Sequence, residues 1–406
     1  MYLSFDDVWL VGGARTPFAD YNGALRDNSA TDLGIVAAKG ALQRTDVSPD
    51  LIDVTVTGSV AQTSVDSYYL SRHIALYSGV GVEKPALTVN RICCSGFEAV
   101  SQAASAVQSG ARAALAVGTE SMSRNPIVAY GMRSGFRLGD VKFYDSLWET
   151  LRDPAPNVVM GQTAENLAQR YQLSRAEVDE FAADSFARAV AAQSKGYFKS
   201  EIVAFRAETH QLEGYAERRT VLPRGVTEHA IDDHIRETKL EQLAQLKPSF
   251  KGVQTAGNSS AIVDGAAAVV VASGKLAQGE GIKKLAKIVS VAVEGVPPEV
   301  MGIGPAPAIR ALLERSGLSI ASIGCIEVNE AFGAQALAVE RELGIDHERY
   351  NPNGGAIAIG HPLGATGVRC TLTAAREAEK RGERYAIAAA CAGGGQGMAI
   401  LLDLRG

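Results

Sequence analysis

The sequence predicts a duplicated α/β fold, two copies of one strand-and-helix unit packed together, and three observations carry that expectation. Short apolar runs, Val8 to Val11, Val54 to Gly58 and Ala114 to Gly118, are separated by helical stretches, as in sheets covered on both faces. At an offset of 271 the two ends of the chain share a pattern, with Leu42 falling on Leu313, Val47 on Leu318 and Ile52 on Ile323. DGAAAVVVA (Asp264 to Ala272) and GQGMAILLD (Gly395 to Asp403) resemble each other as closing strands. A repeated α/β unit is the simplest account of all three.

Residues 31 to 57 read as a helix followed by a strand, and that unit recurs at about 303 to 328. Ala86 to Asn90 is an apolar strand, followed by an Ala-rich helical run from Phe97 to Gln108. The offset lays Ser95-Gly96 on Thr366-Gly367, each opening a helix, so packing the units together would set equivalent helix N-termini side by side. Between Gly118 and Thr255 the first half carries an insertion of more than 130 residues, where the second has only the Gly-rich turn after Cys391. Ser174 and Glu177 form a capping-box pattern there, ahead of an amphipathic run to Gln193. Asp153 to Asn157 and Glu208 to Thr220 read as surface loops. The expected organisation is an N-terminal half over 1–118, completed by 251–274, an inserted loop or lid domain over 119–250, and a C-terminal half over 275–406.

A chain of 406 residues with net charge -5 and no basic cluster gives no sign of nucleic-acid binding. Apolar runs such as Ala266 to Ala272 are strand-sized, far short of a membrane span. Asp6 and Asp7 near the N-terminus do not fit a secretory or transit signal. The five Cys lack paired spacing and read as free thiols in a reducing, cytoplasmic setting.

Cys93 lies where the Ala86–Asn90 strand meets the following helix, and the helix N-terminus there favours the thiolate, which is a nucleophile. His361 stands between Gly360 and Pro362, in a segment without a side chain bulky enough to bury it, and reads as a base. Cys391 ends an alanine-rich strand, with Gly393, Gly394 and Gly395 following to let backbone donors approach a ligand, and its thiol is a candidate carbon-acid base. Cys94, Cys325 and Cys370 read as core packing. The GGGQG run precedes a strand, Met398 to Leu402, instead of opening a helix, which excludes a dinucleotide loop. His229 and His234, with Asp232 and Asp233 between them, have the wrong spacing for one helical face and read as a solvated run; no metal site is expected.

VNRICCSG (Val89 to Gly96), NEAFG (Asn329 to Gly333), GGAIAIGHPLGATG (Gly354 to Gly367) and CAGGGQG (Cys391 to Gly397) occur in that order, with TAGNSS (Thr255 to Ser260) and MGQTAEN from Met160. Together they resemble the motif blocks of the thiolase superfamily, enzymes that make or break carbon–carbon bonds in 3-ketoacyl-coenzyme A thioesters. The resemblance implies a five-layered αβαβα sandwich with an inserted loop domain. By register against Ser95-Gly96 it makes Cys93 the nucleophile, with Cys94 where the family has Gly or Ser. It implies one oxyanion hole from His361 and a water held by Asn329, a second from the backbone N–H groups of Cys93 and Gly393, and α-proton transfer by Cys391. Pantetheine would touch Ser260, and Arg236 is the best local match for a basic residue meeting the nucleotide. Met160, Phe332 and Val159 would line the substrate pocket. Many acetoacetyl-specific members have His at the position of Val159, and two residues fewer than usual separate Phe250 from Thr255. These departures favour a broad-range acetyl-CoA C-acyltransferase over a short-chain acetoacetyl-CoA thiolase. Coenzyme A would be substrate and product, with no other cofactor, in a homodimer or homotetramer. A decarboxylating ketosynthase would want His in place of Asn329 and would not need Cys391; a non-catalytic acyl-CoA- or lipid-binding relative would not need all four catalytic positions filled.

Overall fold

A computed structural model describes all 406 residues. Its principal strands are β1 (Val8–Arg15), β2 (Ile52–Gly58), β3 (Ala86–Val89), β4 (Ala113–Glu120), β5 (Val263–Ser273), β6 (Ala286–Gly295), β7 (Ile323–Val328), β8 (Tyr385–Ala392) and β9 (Gln396–Asp403). They follow one path, β7-β8-β9-β6-β1-β5-β4-β2-β3. At its middle the path narrows to two residue pairs, Leu10 with Ala286 and Trp9 with Lys287, so it is two sheets touching at one end. Polarity repeats across this join. The β2–β4 and β7–β8 pairs are parallel, and β4–β5–β1 and β8–β9–β6 run antiparallel.

The principal helices are α1 (Ala30–Thr45), α2 (Leu70–Tyr77), α3 (Ser95–Gln108), α4 (Met160–Arg170), α5 (Arg175–Ser194), α6 (Pro305–Ser316), α7 (Gly333–Leu343) and α8 (Leu363–Arg381). The 271-residue offset reaches down to single hydrogen bonds. Helix α1 ends at Asp46 and α6 at Gly317, both left-handed with φ of 53° and 67°. The next N–H reaches back identically, Val47 to the Leu42 carbonyl at 3.2 Å and Leu318 to the Leu313 carbonyl at 3.0 Å.

Alternation along the strands builds the layers. Val269 and Val271 of β5, and Met398, Ile400 and Leu402 of β9, face a central core with Phe97 and Val100 of α3 and Val368 and Leu372 of α8. Ala268 and Val270 face α1 and α2 on one outer side. Ala399 and Leu401 face α6 and α7 on the other. The result is helix, sheet, helix, sheet, helix. The central helices meet backbone to backbone: a Cβ on Gly367 would lie 2.1 Å from the Phe97 nitrogen, and one on Gly96 2.8 Å from the Gly367 nitrogen. Only glycine fits there, and the equivalent helix starts consequently lie side by side.

Strand β1 runs through Arg15, well beyond Val11. Gly12-Gly13 resembles a turn in sequence, but a Cβ on Gly13 would fall 2.3 Å from the Ala268 carbonyl oxygen, so the glycine admits close contact with β5. No helix is long and apolar enough to cross a membrane.

The inserted segment is anchored in the core. Arg15 grips Asp232 with both terminal nitrogens, at 2.7 and 2.8 Å, and donates from Nε to Glu201 at 3.0 Å, all fully or nearly buried. Glu201 also accepts from Thr373 of α8 at 2.8 Å. Burial opposes the guanidinium charge, and the two carboxylates more than offset it. The 229–234 run is therefore not a solvated surface segment: Asp232 is 2% exposed, His229 pairs with Asp233, and His234 meets Asp20 at 2.8 Å. Asp232→Ala is expected to strand Arg15 and lower stability by about 3–5 kcal/mol, read by urea unfolding; a loss under about 1 kcal/mol would contradict the anchor. Helix α5 starts with the expected capping box, Ser174 exchanging hydrogen bonds with Glu177.

Candidate active site

Between β3 and α3 the chain makes a tight turn in which Ile92 takes φ of 47°, left-handed and strained for a β-branched residue. Ser95 secures the turn, accepting from the Arg91 N–H at 2.8 Å and donating to the Ile92 carbonyl at 2.7 Å. The turn sends two neighbouring thiols in opposite directions. Cys94 donates to the Ala390 carbonyl at 3.3 Å inside the central core, while Cys93 packs with Met122, Leu147 and Leu363. Cys325 and Cys370 are also fully buried, and none of the five Cys is paired. Burial pushes the Cys93 thiol up to about 11, and the backbone N–H groups of Gly393 and of Cys93 itself pull the other way. Desolvation thus outweighs the pull of the helix terminus, and the thiol form is favoured over the thiolate that the sequence position suggests.

His361 is 5% exposed, contrary to the expectation of an unburied base. Its cover comes from remote segments: its N–H donates to the Ala261 carbonyl at 3.0 Å, and a Cβ on Gly360 would meet Val263 at 2.6 Å. Thr366 Oγ1 lies 2.6 Å from Nδ1 and donates to the Pro362 carbonyl at 3.1 Å, which leaves the hydroxyl to accept from Nδ1–H. Nε2 then presents a lone pair, with Asn329 Nδ2 at 3.2 Å. Asn329 thus meets the imidazole directly, and its own N–H is fixed on the Ala389 carbonyl at 2.9 Å. Burial first, then Arg369, lowers His361 to about 3, so the ring is neutral. Cys93 and His361 are not hydrogen-bonded to each other.

Cys391 sits near the end of β8, fully buried beside Met160, Met301 and Phe332. Burial, then the neighbouring Cys93, drive its thiol far above the ordinary range, so it too is protonated at rest. After it the chain turns through Gly394 and Gly395, both with φ of 80°, and a Cβ on Gly395 would lie 2.1 Å from the Val296 carbonyl oxygen. Gly393 lies against Met160 and Ile92, where a Cβ would make contact at 3.4 and 3.5 Å, and its N–H is near enough to Cys93 to favour the thiolate. Cys93 from the first half and Cys391 and His361 from the second are tied together through shared neighbours, Met122 and Leu363 against Cys93, Met160 and Phe332 against Cys391, which with His361 line one cavity.

Beside them lies a mostly apolar cavity of about 370 Å³ whose lining includes Val159, Met160, Ser260, Phe332 and His361. Ser260 is held by its N–H on the Ala331 carbonyl at 3.1 Å. Arg236 is outside the lining, exposed, over the Phe186 ring at 5.0 Å and against His234 at 3.0 Å. The short segment after Phe250 is pinned by Glu165, whose carboxylate accepts from Val253 N–H at 2.9 Å and Gln254 N–H at 2.8 Å. It presses Phe250 onto Gly161, where a Cβ would lie 2.0 Å from the ring.

The model of the thiolase N-terminal domain matches residues 8–275, and that of the thiolase C-terminal domain matches residues 282–404. The chain belongs to the thiolase family. It is 44% identical to human mitochondrial 3-ketoacyl-CoA thiolase over 401 residues, covering 98% of both chains. It is 41% identical to the beta-ketothiolase BktB of Cupriavidus necator, covering 98% of this chain and 99% of that one. The crystal structure of the human mitochondrial 3-ketoacyl-CoA thiolase in complex with CoA superposes with a TM-score of 0.92 at 42% identity, covering 98% of each chain. The five-layered thiolase fold is thus established for this chain.

Sequence reading missed Trp148, Leu151 and Ile262 in the cavity wall, and the positioning side chains Thr366 and Glu165. For Glu165 a signal existed: an acid inside the otherwise small and polar TAEN block, on a face of α4 that carries Ala164 and Ala168.

Proposed function

We propose that this thiolase catalyses reversible thiolysis and Claisen condensation of 3-ketoacyl-CoA through an acyl group on Cys93, over a broad range of chain lengths. The observation carrying the proposal is that Cys93, packed on Met122 and Leu363, Cys391, packed on Met160 and Phe332, and His361, bonded to Asn329, all stand at or directly behind the wall of one cavity, which Met122, Leu363, Met160, Phe332 and His361 line. In thiolysis His361 Nε2 takes the Cys93 proton as the sulfur adds to the 3-keto carbon. Developing oxyanion charge meets the backbone N–H groups of Cys93 and Gly393, or the His361–Asn329 pair. The bond between the α- and β-carbons breaks, and Cys391 protonates the leaving acetyl-CoA enolate. A coenzyme A thiol then gives its proton to the Cys391 thiolate and attacks the acyl-Cys93 carbonyl. Cys93 leaves and recovers its proton from His361. Condensation is the reverse. Two protonated thiols and a neutral imidazole leave all three reacting groups uncharged at rest.

No cofactor enters this scheme beyond coenzyme A as substrate and product. Ser260 in the cavity wall supports the pantetheine contact, whereas the nucleotide contact proposed for Arg236 rests on its family register alone. The exposed edge of β3 and exposed Ile127, Tyr130, Met132, Leu138 and Phe143 of the inserted segment support a homodimer or homotetramer. Five unpaired cysteines are compatible with a reducing cytoplasmic setting. Incubation with acetoacetyl-CoA and coenzyme A should yield acetyl-CoA; a decarboxylating or non-catalytic relative would yield none.

Chain length follows from the cavity. Val159 offers no hydrogen bond at the wall, and Trp148, Leu151, Phe250 and Ile262 extend an apolar surface. A buried methylene contributes about 0.8 kcal/mol, so kcat/KM for 3-ketohexanoyl-CoA should equal or exceed that for acetoacetyl-CoA. A steep fall between four and six carbons would instead establish the short-chain enzyme.

A further inference from the structure

Glu120 ends β4 after seven residues without a charge, and it is fully buried with no cation paired to it. Its partners are donors from two remote loops. One oxygen accepts from the Val60 N–H at 3.0 Å and the Gly364 N–H at 2.9 Å. The other accepts from the Ala61 N–H at 3.1 Å and the Ser59 hydroxyl at 3.3 Å. Gly364 lies in the first turn of α8, three residues after His361. On the other side the chain of contacts continues: Asn90 Nδ2 donates to the Val60 carbonyl at 3.1 Å, and Asn90 Oδ1 accepts from the N–H of Ile92 at 2.9 Å. Ile92 is the residue held left-handed immediately before Cys93.

Resting on the thiolase reading, we propose that Glu120 is a positioning residue that clamps the strained Cys93 turn of the first half to the His361 loop of the second, setting nucleophile and base in register. The clamp needs acceptors on both oxygens, which only an ionised carboxylate supplies in full. It also has a cost to the nucleophile: the negative charge adds to the effect of burial in holding the Cys93 proton. Burial raises Glu120 itself to about 7, and the N–H groups of Ala61, Val60 and Gly364 oppose that rise. Cys93 is the titratable group coupled to it; the neighbouring donors are otherwise neutral. Charge and geometry thus act on Cys93 in opposite senses, which makes them separable.

Glu120→Asp keeps the charge but is one methylene too short to span the two loops. Glu120→Gln removes the charge and one acceptor, while its oxygen can still bridge Val60 and Gly364. With acetoacetyl-CoA and coenzyme A, Glu120→Asp should lower kcat by about 30-fold or more, since small misplacements of reacting groups cost of the order of 10²-fold. Glu120→Gln should lose less, and KM should stay within about twofold in both. The pH profile of Cys93 alkylation by iodoacetamide should shift down by about half a unit in Glu120→Gln and stay in place in Glu120→Asp. A purely structural acid would not give this crossed pattern. Asn90→Ala, at an exposed side chain, cuts the chain between Val60 and Ile92 and should lower kcat severalfold, with the buried carboxylate intact; it decides the matter if the Glu120 variants do not fold. Wild-type kcat in Glu120→Asp, an unmoved alkylation profile in Glu120→Gln, or wild-type kcat in Asn90→Ala would overturn the clamp. Absence of thiolysis by the unaltered enzyme would instead sink the underlying functional reading.

Discussion

Cys93→Ser is expected to reduce thiolysis and condensation by roughly 10⁴-fold or more, as loss of a covalent nucleophile does elsewhere, and to abolish labelling by radioactive acetyl-CoA. The label on the unaltered enzyme should be acid-stable, one per chain, and confined to the peptide holding Cys93. Serine keeps the shape of the turn, so Gly393, His361 and the cavity stay in place; what changes is a hydroxyl too weakly acidic for a buried neutral imidazole to activate. Cys94 cannot substitute, because its sulfur points into the central core at Ala390. Acylation mapped to Cys94 would show that the two thiols exchange roles, contrary to the geometry.

Cys391→Ala should separate the two halves of the reaction. Acyl transfer between acetyl-CoA and Cys93 needs no proton moved at carbon and should remain measurable, slowed only by the loss of the proton that Cys391 exchanges with the coenzyme A sulfur. Condensation, and exchange of acetyl methyl hydrogens with deuterated water, should both fall by roughly 10²–10⁴-fold, the usual contribution of one positioned acid or base. Undiminished exchange would remove Cys391 from the carbon-acid step.

What the sequence disclosed tracks what is local or periodic. The 271-residue offset was legible because each copy needs the same apolar positions to cover its sheet, and even the left-handed helix ends at Asp46 and Gly317 obey it. Cys93 was distinguished from Cys94 by its distance from Ser95-Gly96. Properties set by remote partners were not legible. His361 looked exposed between Gly360 and Pro362, yet Val263, Ala261 and Asn329 close over it from far along the chain. The helix terminus at Cys93 is a local feature, while the desolvation that overrides it comes from the whole surround. Asp232 looked solvated because its partner, Arg15, is 217 positions away.

That partner has a kinetic implication. Swinging the part of the inserted segment that carries Glu201 and Asp232 aside would uncover a guanidinium and two carboxylates that satisfy one another only in place, so hinged motion there is costly. The cavity opens instead at Trp148 and Ile262, which are 50% and 37% exposed in its wall. If both substrates of the proposed reaction enter there, free coenzyme A at high concentration should compete with 3-ketoacyl-CoA, read as inhibition in steady-state thiolysis. A buried salt link remote from the reacting sulfur would in that way fix the one side from which both substrates approach.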